Sequence, residues 1–123
     1  MLGKFGLAAA ALVISAVPAL AANSCDEPYA PAAIDGSTAT EAQMKGARDD
    51  VMNFMKSSDD YQSCLLDDLK AQEDAAAKAK DPKPLDPSVK AGVDKKVDEN
   101  QRMKEKVGAE FNAAVMAYKA AHK

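Results

Sequence analysis

Tryptophan is absent from this 123-residue chain, and only three phenylalanines and three tyrosines stand in for it. Side chains that build a thick core are scarce, so the core expected is thin. Histidine occurs once, at His122, next to the last residue and on a helix end expected to fray. A hydrolytic triad needs an imidazole held between nucleophile and acid, which that position does not offer. No glycine-rich phosphate loop and no basic stripe with interleaved aromatics is found, so neither the sequence nor its charge points to nucleic acid.

What is present begins with a short positive start, Met1 to Lys4, and an apolar run of 13 residues from Phe5 to Val17, followed by Pro18-Ala19-Leu20-Ala21. This order predicts a secretory signal peptide over residues 1–21. The run falls short of the roughly 20 residues needed to span a bilayer, so no stable membrane insertion is expected after cleavage. Lipidation at Cys25 is disfavoured, because Ala22 stands where a leucine is wanted three residues before it. Residues 22–123 then form one small domain, with 15 basic against 19 acidic side chains and a net charge of −4 once Lys4 is gone. The expected location is the periplasm of a Gram-negative bacterium.

An exported chain with two cysteines, Cys25 and Cys64, is expected to join them. Closing a loop of about 40 residues is worth roughly 4 kcal/mol on the chain-entropy estimate. A redox or metal site is disfavoured, since there is no Cys-x-x-Cys and no histidine within reach.

Residues 22–37, with Pro28, Pro31 and Gly36 and little apolar periodicity, read as an extended arm. Thr38-Ala39-Thr40-Glu41 has the form of a capping box and predicts helix one over 38–78. Its stripe is Met44, Ala47, Val51, Phe54, Met55, Tyr61, Leu65 and Leu69, with Ser58 as the one polar step. Pro82, Pro84 and Pro87 end it, placing a turn over 79–86. Asp86-Pro87 starts helix two over 87–121, with the stripe Val89, Val93, Val97, Asn100, Met103, Val107, Phe111, Ala114 and Tyr118.

Two such helices joined by a short turn lie antiparallel, and the fold class expected is all-α: a coiled-coil-like two-helix hairpin with the arm strapped on by the disulfide. Facing residues should have numbers summing to about 162 if the turn centres near Asp81. That register sets Tyr61 against Asn100, a polar pair expected mid-seam, where neither group is cheaply left without a partner.

The Asp49-Asp50, Asp59-Asp60 and Asp67-Asp68 pairs lack the spacing and glycine of a calcium loop and read as a solvated face. Met44, Met52, Met55, Met103 and Met116 read as adaptable filling rather than axial ligands. No metal and no cofactor is expected.

Cys25-x-x-Pro28-x-x-Pro31, Asp35-Gly36, Thr40-Glu41-x-x-Met44, Val51, Phe54, Tyr61-x-x-Cys64-Leu65, Asn100-x-x-Met103, Phe111-Asn112 and Tyr118-Lys119 resemble a family of small, signal-bearing, uncharacterised proteins common in alphaproteobacteria. The likeness covers nearly all of 22–123 outside the proline turn. It implies a periplasmic helical protein and carries no known activity or ligand. Where that family tends to have Ile-Pro-Asp-Gly, this chain has Ala33-Ile34-Asp35-Gly36.

The function expected is non-enzymatic: a structural or protein-interaction module whose hairpin binds another protein or itself, as a homodimer. The alternative is a periplasmic chaperone or stress adaptor, suggested by a long amphipathic hairpin with several methionines and by Thr40-Glu41-Ala42-Gln43-Met44.

Overall fold

The computed structural model describes residues 25–123; the expected signal peptide and residues 22–24 lie outside the described residues. Two helices make up its regular structure, α1 (Glu41–Lys78) and α2 (Pro87–Ala121), each some 50–60 Å long at 1.5 Å per residue. They form the expected antiparallel hairpin, and the arm is tied to α1 by the Cys25–Cys64 disulfide, whose α-carbons are 5.7 Å apart.

Helix α1 begins three residues later than the sequence suggests. The capping box is Thr40 with Gln43: the Gln43 backbone N–H donates to Thr40 Oγ1 at 3.1 Å, and the Thr40 N–H donates to Gln43 Oε1 at 2.9 Å. Thr38 is taken by the preceding turn, where its N–H and that of Ala39 both donate to the Asp35 carbonyl at 3.3 and 3.1 Å. The Asp35 carboxylate closes the same turn by accepting from the Ser37 N–H at 2.9 Å and hydroxyl at 2.6 Å. These bonds hold its pKa below the ordinary value, the Ser37 hydroxyl contributing most. Ala39, just before the cap, is buried in one cluster with Met44, four residues into the helix, a hydrophobic staple that sets the entry angle. Helix α2 starts as expected, with Asp86 accepting from the Ser88 N–H at 2.9 Å and Pro87 in its first turn.

The register holds in contacts across the seam. Gln62 bonds Asn100 and Gln101, Asp59 pairs with Lys104, and Met55 lies 3.6 Å from where a side chain on Gly108 would begin. All four pairs have numbers summing to 162 or 163.

Burial along that seam is uneven. At the open end Ala39, Met44 and Ala114 are buried together, with Ile34, Phe111, Val115 and Tyr118 packed against them. Phe54, Ser58, Tyr61, Leu65, Leu69, Asn100 and Val107 continue the core along the seam, but Val89, Val93 and Val97 are only half-buried. The arm explains the gradient. It is bonded to Cys64 in mid-helix, and its Pro31–Ile34 stretch shares a cleft with Ala47 and Val51 of α1 and Val107 and Phe111 of α2. It therefore runs antiparallel to α1 over the seam, from the middle of the hairpin to the open end. Past the arm, toward the proline turn, the α1 side of the stripe stays buried at Leu65 and Leu69 while the facing α2 valines are only half covered.

Met103 leaves the expected stripe and is 40% exposed. Steps of three and four from Asn100 to Val107 pass through Lys104 instead, whose side chain is only 18% exposed. Its methylene stem covers the seam while its ammonium reaches Asp59 of the other helix, so a charged residue fills an apolar register position.

Candidate functional site

Two features stand out against this scaffold: a polar knot within the seam and a crest above it. The knot joins the single polar step of each stripe. The Asn100 amide donates to Ser58 Oγ at 3.2 Å, and its carbonyl oxygen accepts from Gln62 Nε2 at 2.8 Å. Ser58 and Asn100 are 0% and 2% exposed, so these bonds replace water at both groups.

No direct hydrogen bond joins the expected pair Tyr61 and Asn100 among the described residues; the partners of Asn100 are Ser58 and Gln62. The short Ser58 hydroxyl and the jointed Gln62 chain are the groups that turn onto Asn100. Tyr61 is instead a buried ring. Burial first, then the negative charges of Glu27 and Glu99, push its pKa above the ordinary value of 10.0, which places the phenol near the arm. The signal for the true partner was the coincidence of one polar step per stripe, Ser58 and Asn100, offset by one helical turn from the facing position.

The crest is the arm segment Glu27 to Pro31. On one side Pro28–Pro31 and Asp50, Asn53, Phe54 and Ser57 of α1 border a shallow depression; on the other, Glu27–Ala30 border one with Asn100 and Met103 of α2. Pro28 and Pro31 are half-buried, while Tyr29 between them is 97% exposed. The crest is fixed at both ends, by the disulfide at Cys25 and by the turn at Asp35, where Gly36 is buried directly against the Ala114 backbone. Glu27 and Asp50 take part in no ion pair among the described residues, and the neighbouring cations Arg102 and Lys106 are engaged by Asp98 and Glu110 of their own helix. The acids left unpaired at the crest are thus Glu27 and Asp50.

Among the described residues no group of three or more histidine, cysteine or acidic side chains is placed to hold a metal ion. The methionines divide: Met44 is buried, Met55 half-buried, and Met52, Met103 and Met116 are exposed. His122 is held rather than frayed. Its ring stacks on Tyr118 with centroids 4.0 Å apart, and Nδ1 lies 2.9 Å from the Tyr118 carbonyl oxygen.

No protein-family model, no curated protein and no solved structure matches this chain.

Proposed function

We propose that this chain is a non-catalytic protein of an oxidising extracytoplasmic compartment, the periplasm of a Gram-negative bacterium, and that its hairpin is a rigid module for binding another protein. The observation that carries the reading is the strap. A disulfide and a tight turn spend two strong constraints on holding an extended arm over the seam, while Tyr29, Met52, Leu66, Met103 and Met116 stay exposed. Such a scaffold presents side chains in fixed positions, and binding through it costs little ordering entropy. The disulfide also suits export, since such bonds persist outside the cytosol.

Chemical cross-linking in intact cells, followed by purification of the full chain and mass spectrometry, tests it. One partner recovered in fixed ratio from the periplasmic fraction is the expected result. A chain found in the cytosol with free thiols, or one that captures no protein, overturns it.

The three exposed methionines favour a second reading, a holdase that offers adaptable apolar surface to unfolded clients. That protein would suppress aggregation of an unrelated denatured protein at equimolar ratio. Sedimentation equilibrium separates both readings from self-association, whose sign is a concentration-dependent dimer.

A further inference from the structure

Resting on the interaction-module reading, we propose that Tyr29 is the anchor by which the hairpin grips its partner protein, entering an apolar pocket whose rim is basic.

Tyr29 contributes almost nothing to this fold, being 97% exposed. Its neighbours do the opposite. Pro28 and Pro31 are half-buried on the hairpin and restrict the backbone on either side of it. Cys25 is bonded to Cys64 before them, and Gly36 is pressed onto Ala114 after them. The segment is held at both ends and seated in the middle, with one aromatic side chain raised out of it. A tyrosine so placed buries about 150–250 Å² on entering a pocket and has only two torsions to order. Tyrosine is among the residues that dominate interface energetics when centrally placed. The depressions along both flanks leave room for the walls of such a pocket to descend around the ring.

Charge decides the kind of partner. Asp26 and Glu27 lie on the arm and Asp50 on α1 beside it, none of them in an ion pair among the described residues, whereas Glu99 across on α2 is paired with Lys95. Arg102 and Lys106, which border the same flank, are each paired with an acid of their own helix, so the unpaired charge around Tyr29 is that of the arm and Asp50. The complementary rim is one of lysine and arginine, which steers encounter and disfavours wrong partners. A second copy, with the same unpaired acids and a chain net charge of −3, answers that chemistry poorly.

The test places a photoreactive phenylalanine analogue at position 29, 52 or 116 of otherwise full-length chains, which are irradiated in cells of the source organism. Met52 and Met116 are exposed controls. The expected result is one heterologous adduct from position 29 and none of it from 52 or 116, with a yield that falls severalfold in lysate when salt is raised. Replacing both Cys25 and Cys64 by serine lowers that yield as well. With the partner so identified, Tyr29→Ala weakens its binding about tenfold or more, Tyr29→Phe retains most of it, and both leave the thermal melt unchanged. An adduct from 52 or 116 with none from 29 overturns Tyr29 as anchor while leaving the interaction module standing; no adduct from any position overturns both. An adduct of twice the chain's own mass overturns the heterologous partner, and one indifferent to salt overturns the basic rim.

Discussion

Gly36 and Ala114 are in backbone contact: a side chain begun on Gly36 would lie 1.8 Å from the Ala114 carbonyl oxygen. The Gly36 φ is not positive, so the requirement is for closeness rather than for an unusual conformation. Neither backbone can rotate away as a side chain would, and Gly36→Ala must push the arm off α2. The expected loss is about 1–3 kcal/mol or more, read by urea denaturation. Gly46 is the matched control. Nothing lies within 4 Å of its would-be side chain, so Gly46→Ala should stabilise α1 by up to about 1 kcal/mol. Equal effects at the two glycines would show that the arm is not seated there.

The Ser58–Asn100–Gln62 knot carries a second expectation. Asn100→Ala leaves the buried Ser58 hydroxyl without its donor and should cost about 1–3 kcal/mol. Asn53 is exposed, and Asn53→Ala should stay within about 0.5 kcal/mol. A double-mutant cycle of Ser58→Ala and Asn100→Ala should be non-additive, because each change removes the other's partner. Additive losses would dissolve the knot.

Loss of the strap should be costly for so thin a core. The disulfide spans 39 positions of sequence, and Cys64→Ser should lower stability by about 2–4 kcal/mol. Thiol titration of the denatured chain should find no free thiol before reductant is added. Two free thiols in freshly isolated material would contradict this.

Tyr61 predicts a pH dependence at the alkaline end. Burial, then Glu27 and Glu99, raise its pKa above 10.0, so the folded state binds that proton more tightly than the unfolded chain. Its contribution is complete below pH 10 and is lost as pH rises through the raised folded value. Lys45 and Lys90, raised by hydrogen bonds and charge from Glu41 and Asp94, decline in the same direction and form a common background. Tyr61→Phe should therefore show a shallower fall in stability above pH 10 than the parent chain. An identical alkaline slope would mean that the phenol is not buried.

The two helices, the proline turn, the disulfide partners and the antiparallel register were legible in the residues because each depends on local rules. Three-and-four spacing, three prolines within Pro82–Pro87, the count of two cysteines and the alignment of two stripes about one turn are properties of a line of letters. Tertiary structure decided what depends on side-chain reach and on which surface arrives first. The sequence points to Thr38 as the cap, and the helix instead starts from Thr40, because the Asp35 carbonyl has already taken the Thr38 backbone into a turn. Lys104 displaced Met103 from the seam because Asp59 waited on the opposite helix, and Asn100 bonded Ser58 and Gln62, whose side chains reach it across the seam. The path of the arm was the least legible part, since it has no period to read. Its seat on α2 is set by the absence of a side chain at Gly36, and a glycine in a sequence does not say whether it is there to bend the chain or to let another backbone come close.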